Sequence, residues 1–186
     1  MTAAAQRIGH FPEVAFGGQP IDLSPPFETI EVQDAFRKYA GWRPGPDPDP
    51  DRFDYDLVDK VEPGLPKDRP VFLTGYPSGL ASLARIDPEN AERAERFELY
   101  AGGLELANGF AELTCPIEQR RRFEREQAER KRTGKAVYPL DEHFLYALEE
   151  GLPACAGIAL GIDRLMMLLL DCNCIDDVVA FPDGTL

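Results

Sequence analysis

Positive charge is scarce in this 186-residue sequence: 20 Lys and Arg stand against 33 Asp and Glu, a formal net charge of −13. Sequence-independent attraction to a phosphate backbone should therefore be poor, and charge alone suggests no nucleic-acid partner. Histidine is nearly missing, with only His10 and His143. The four cysteines, Cys115, Cys155, Cys172 and Cys174, lack zinc-ligand spacing and are few for a disulfide scaffold. Cys172-Asn173-Cys174 is the nearest thing to a redox or metal motif and is read as structural, with reduced cytoplasmic thiols as the default. No apolar run approaches membrane-spanning length, the N-terminus lacks the pattern of a signal peptide, and no internal repeat is visible. With 44% hydrophobic residues, the chain is long enough for one soluble domain with a substantial core.

The stretch that organises the rest is Arg96 to Glu112, RFELYAGGLELANGFAE. Phe97 and Leu99 alternate with Glu98 and Tyr100, the period of a strand with one buried face. Ala101, Gly102 and Gly103 supply a tight turn and Leu104 to Ala107 a second apolar-rich run, so a hairpin is expected. A two-residue turn at 101–102 or at 102–103 puts Glu98 and Glu105 on the same face. Like charges across a strand pair are destabilising unless compensated. Two readings are open: both carboxylates stand in water, or a hard divalent cation bridges them and phosphate oxygens. Asn108, Phe110 and Glu112 continue at a two-residue step and add an amide, an aromatic edge and a third carboxylate, a lining suited to a small molecule that carries a cation. Asn108-Gly109 is also a good turn dipeptide that could end the strand.

Along the chain, 1–28 reads as irregular, and Val32, Phe36 and Tyr39 mark a short amphipathic helix over 31–40. Arg43 to Pro70 is dominated by proline, glycine and aspartate and is read as a surface connector with at most a short helix near Tyr55 to Val61. Two parts follow: 1–69, an irregular segment with a short helix and this connector, and 70–186, the portion that carries the chemistry. In the second part Val71 to Thr74 is a strand candidate. Pro116 begins a surface helix to about Arg132, with i,i+4 pairs Glu118–Arg122 and Glu126–Arg130, and its Arg120-Arg121-Arg122 cluster is read as a solvated face. Asp141 starts another helix that Gly151 stops. Residues 157–165 run from a strand into an apolar helix that ends near Leu170, and Val178 to Phe181 can add a last strand.

Arg164 falls in the first turn of that last helix, where the macrodipole disfavours a cation by about 0.3–1 kcal/mol. A broken local rule invites a functional reason. Gly161 leaves room for a ligand to approach the backbone, and a guanidinium beside it can clamp a phosphate. An ordinary surface salt bridge is the alternative.

Three segments carry a family resemblance: Phe97-Glu98-Leu99-Tyr100, Gly103 to Leu113 (GLELANGFAEL) and Gly157 to Leu165 (GIALGIDRL). Together they resemble the C-terminal half of class II lysyl-tRNA synthetase catalytic domains, and more closely the truncated branch of that family, the elongation factor P (R)-β-lysine ligases. The resemblance covers roughly residues 20 to 186 and includes class II motif 3. It implies an α+β fold in which an antiparallel sheet is flanked by helices, a partial catalytic domain. It also implies ATP-dependent activation of lysine or β-lysine as an aminoacyl-adenylate, then transfer to a lysine of elongation factor P or, alternatively, to tRNA-Lys. By position, Glu98 and Glu105 would hold Mg2+ on the ATP phosphates, and Arg164, the motif 3 arginine, would be catalytic and reach the γ-phosphate. Gly161 would lie beneath the adenine. Asn108, Phe110 and Glu112 would bind the amino acid, with Glu112 facing a side-chain ammonium. Ala159 stands where lysyl-tRNA synthetases tend to have glycine and the β-lysine ligases alanine, and one methyl in a snug pocket alters substrate choice by about 1–3 kcal/mol.

The sequence departs from the family in that neither motif 1, which builds a homodimer interface, nor motif 2, which supplies an arginine to the α-phosphate, is found. The expectation is that this polypeptide alone activates amino acids poorly or not at all, and that a polypeptide carrying motifs 1 and 2 is a candidate partner. A non-catalytic nucleotide-binding remnant is the competing expectation.

Overall fold

The computed structural model describes residues 1–182. In chain order the elements are α1 (Thr2–Arg7), the strands β1 (Glu13–Phe16), β2 (Gln19–Asp22) and β3 (Glu28–Glu31), then α2 (Val32–Ala35), which runs on through a π-helical turn, Phe36–Ala40. α3 (Pro50–Asp56) likewise continues through a π-helical turn, Leu57–Val61, into α4 (Glu62–Gly64). The remainder is β4 (Val71–Thr74), β5 (Ile86–Asp87), β6 (Asn90–Ala94), β7 (Arg96–Ala101), β8 (Leu104–Ala111), α5 (Pro116–Arg132), α6 (Glu142–Glu149), β9 (Ala156–Leu160) and α7 (Ile162–Leu170). Among the described residues no helix is long and apolar enough to cross a membrane.

The scaffold is a five-stranded sheet in the order β3-β4-β7-β8-β9, parallel only between β3 and β4. The hairpin at its centre turns at Gly102-Gly103, whose φ values of 60° and 83° suit a primed two-residue turn that a side chain would strain. Asn108-Gly109 does not end the strand. Gly109 stays in β8, paired with Phe97 on one side and Ile158 on the other, and a methyl there would meet the Phe97 ring at 2.7 Å.

Both faces of the sheet are covered, not one. On one face Val71, Leu73 and Tyr100 pack with Val32 and Phe36 from the first helical segment, 32–40, with Phe53 and Val61 from the second, 50–64, and with Leu65 just after it. On the other, Ala101 and Leu106 pack with Ile21, Leu23 and the α7 residues Leu165, Leu168 and Leu169.

Several expectations change accordingly. Residues 1–28 hold a helix and the β1–β2 hairpin, anchored because Val14 and Ile21 are buried. The stretch read as a connector is largely helical: Asp49 caps α3 by accepting from the Arg52 N–H at 2.8 Å, and Phe53, Leu57, Val61 and Leu65, each four residues apart, line up toward the core. Packing also runs across the 69/70 division, since β3 pairs with β4. Finally, Val178 to Phe181 forms no strand: a 3-10 turn, Ile175–Asp177, precedes it, and the Val179 N–H returns to the Ile175 carbonyl.

Candidate active site

Register decides which side chains meet. Glu98 stands opposite Asn108, which in turn stands opposite Ala159, while Arg96, Phe110 and Gly157 form the next row and Tyr100 pairs with Glu105. All of these share one face of the sheet. Leu99 pairs with Ala107 and Tyr100 with Glu105, so Leu106 is an extra residue, a β-bulge. Without it, plain alternation from Glu105 would place Ala107 and Gly109 on the site face and turn Asn108, Phe110 and Glu112 away. The bulge puts Glu105 on the same side as Asn108, Phe110 and Glu112, as the sequence reading needed but did not foresee.

A cleft of about 530 Å³ opens on this face, lined by Arg96, Asn108, Phe110, Glu112 and Ala159 together with Gly157, Ile158 and the passing segment Ala81-Ser82. The four residues assigned to amino-acid binding thus converge. Gly157 keeps room for Glu112: a methyl on it would lie 2.9 Å from Glu112 Oε1 and push that carboxylate aside. Ser82 and Arg96 also border a second, larger cleft of about 910 Å³ between α3 and α5.

Glu98 is 6% exposed and nearly saturated. Its Oε1 accepts from Arg96 Nη2 at 2.7 Å and Asn108 Nδ2 at 2.9 Å, and its Oε2 accepts from the Tyr100 hydroxyl at 2.6 Å. A carboxylate offers about four acceptor positions, so one remains on Oε2. The Tyr100 hydroxyl also lies 3.3 Å from Glu62 Oε1, which brings a residue of the supposed connector over the site. Burial, then the Glu98 charge and hydrogen bond, hold the Tyr100 phenol well above its ordinary range, so it stays a donor. Burial likewise raises the Glu62 carboxyl; the Tyr100 hydrogen bond opposes this, and the charges of Glu98 and Glu105 add to it.

Arg164 explains its own position. Its Nη1 donates to the Glu105 carbonyl at 2.9 Å and reaches Glu105 Oε2 at 3.3 Å. The side chain is 51% exposed, and among the described residues both bonds fall on Nη1, which leaves Nε and Nη2 to an anion. Gly161 precedes α7 at φ −71°, where a methyl would meet nothing closer than 3.6 Å, so neither backbone nor packing demands glycine there.

Tyr100, Arg96, Glu62 and Gly157 escaped the sequence reading. Tyr100 was legible, since it alternates with Glu98; Glu62 was not, because its contact spans 38 residues. Arg122 corrects the solvated arginine cluster. Arg120 and Arg121 do pair outward, with Glu142 and Glu118, but Arg122 is only 10% exposed and donates to the Ser82 and Ala84 carbonyls at 2.7 and 2.8 Å.

An antiparallel-rich sheet that carries acidic residues, an amide and a helix-start arginine on one face defines a class. The chain belongs to the family of class II tRNA synthetases (D, K and N), which it matches over residues 2–185. Within that class it is 53% identical to the elongation factor P--(R)-beta-lysine ligase of Proteus mirabilis over 126 residues, 68% of this chain and 39% of that protein. It is 41% identical to the ligase of the same name from Haemophilus influenzae over 177 residues, 84% of this chain and 55% of that protein. The chain therefore spans between about two fifths and just over half of the length of these relatives.

Proposed function

We propose that this chain carries the amino-acid pocket and part of the triphosphate site of an ATP-dependent ligase that activates lysine or β-lysine and passes it to a lysine of elongation factor P. The observation that carries this reading is the convergence of Asn108, Phe110, Glu112 and Ala159 on one cleft, next to Glu98 and on the same sheet face as Glu105 with its arginine partner. In the first step the amino-acid carboxylate attacks the α-phosphorus of ATP, giving aminoacyl-adenylate and releasing pyrophosphate. In the second the acceptor amine attacks the acyl carbonyl, forms an amide and releases AMP.

Glu112 pairs with the ammonium at the end of the substrate side chain and Phe110 walls its methylenes. Asn108, fixed by Glu98, orients the reacting end. Arg164 offers Nε and Nη2 to the γ-phosphate, and Gly161 leaves a flat floor for the base. Glu98, through its one open position, and half-exposed Glu105 are oxygen donors of the kind Mg2+ takes alongside phosphate oxygens. When bound, that ion would offset the triphosphate charge. Cytoplasmic location, a homodimeric state and a companion polypeptide carrying motifs 1 and 2 belong to the same reading, the first in keeping with four unpaired cysteines.

Pyrophosphate exchange dependent on lysine or β-lysine tests it, with any polypeptide supplying motifs 1 and 2 added. Exchange with the pair, followed by labelling of elongation factor P, is the expected result. Labelling of tRNA-Lys in place of that protein would select the synthetase alternative. Tight Mg·ATP binding without exchange would reduce the chain to a binding module.

A further inference from the structure

Building on the amino-acid pocket proposed above, we infer that Ser82 is a specificity-determining residue which presents its hydroxyl to the terminal ammonium of the bound substrate, with Arg122 as the residue that positions it. Ser82 has φ +51°, in the left-handed region that side chains other than glycine rarely adopt. The other such residue, Asp171, merely ends α7. A strained backbone persists where its surroundings over-determine it, and such residues gather at ligand sites. Here the surroundings are visible. Arg122, itself tied to Glu118 at 2.9 Å, grips the carbonyls of Ser82 and Ala84. The Leu113 N–H donates to Leu83, the Arg85 N–H donates to Ala111, and Ala84 bridges Glu112. The segment is thereby laid antiparallel along 111–113, which brings Ser82 to the Glu112 end of the cleft it lines.

Ser82 is exposed on the rim of the cleft, and among the described residues its hydroxyl has no protein hydrogen-bond partner, so it is open to a ligand. An ammonium has three donors, more than the Glu112 carboxylate takes up alone, and a hydroxyl lining the same cleft can accept one of them. The ligand class is an amino acid whose side chain ends in an amine. A neutral chain of equal length would leave the hydroxyl and the carboxylate unpaired, and sites built for a polar group reject analogues that lack it.

The test is calorimetric titration of the full chain with lysine, β-lysine and norleucine, the last having a methyl in place of the ammonium. Ser82→Ala should weaken lysine or β-lysine binding 5- to 20-fold and leave norleucine unchanged. Ser82→Gly, which tolerates the left-handed backbone, should lose the same affinity while its Tm is no lower than that of the parent. That combination separates recognition from folding, even if Arg122→Met proves too unstable to measure. Wild-type lysine binding in both Ser82 variants, with binding lost in Glu112→Gln, would overturn the role of Ser82 and leave the pocket intact. An equal loss for norleucine would make the hydroxyl structural and also overturn it. Absence of amino-acid binding by the parent chain, with or without its companion, would overturn both readings.

Discussion

The Asn108 side-chain amide donates to Glu98 Oε1 at 2.9 Å from the directly opposite position on the neighbouring strand. This bond joins the cleft to the acidic face, because Asn108 lines the first and Glu98 belongs to the second. With Arg96 and Tyr100 on the same carboxylate, the group that was expected to wait for a metal already serves as the internal anchor of the sheet.

Glu98→Ala should therefore cost stability as well as binding. It strands a half-buried guanidinium, a buried phenol and a half-buried amide at once, which corresponds to about 3–5 kcal/mol. Urea unfolding at unchanged m-value should report the loss. A change below 1 kcal/mol would mean that the network carries little weight.

Glu105→Gln should do the opposite. Its pair with Arg164 is half exposed, and such pairs contribute about 0–1 kcal/mol, so unfolding should barely move. The Mg2+ dependence of ATP binding should weaken on the order of tenfold, the effect of about 1.4 kcal/mol in differential affinity. Calorimetry at several Mg2+ concentrations is the measurement.

The Glu62 carboxyl is raised above its ordinary 4.5, so the folded chain holds this proton more tightly than the unfolded chain does. Between those two values stability falls as pH rises. Glu62→Gln removes the dependence: the variant should melt higher than the parent at pH 7, and the gap should close as pH drops below about 4.5. Thermal scans at pH 4 and pH 7 decide the matter, and a constant offset would contradict the raised carboxyl.

Gly157→Ala places a methyl 2.9 Å from Glu112 Oε1, a flexible carboxylate end that can move aside. The fold should tolerate it. Amino-acid affinity should fall about tenfold, equivalent to about 1.4 kcal/mol, with ATP affinity unchanged.

Local signals were legible in the sequence where each element carried its own chemistry. Gly102-Gly103 announced the hairpin, Asp141 announced α6 by accepting from the Phe144 N–H at 2.9 Å, and the pairs Glu118–Arg122 and Glu126–Arg130 form as spaced. What escaped depends on distance along the chain. Proline and aspartate around 43–51 hid the four-residue spacing of Phe53, Leu57, Val61 and Leu65, though that spacing was there to count. The parallel β3–β4 pairing joins segments some forty residues apart, and nothing local to either strand specifies it. Glu62 and Arg122 looked like solvent-facing charges because their partners, Tyr100 and the Ser82 carbonyl, lie 38 and 40 positions away.

Leu106 has one further implication. Since it lets Glu105 and Asn108, three positions apart, look the same way, the two halves of the face are phased by a count and not by side-chain identity. An apolar replacement of similar volume at buried Leu106 could be absorbed by the core around it, whereas losing or gaining a single residue between 105 and 108 would break the phase that sets amide and carboxylate side by side. Length, more than chemistry, is what this short piece of chain must keep.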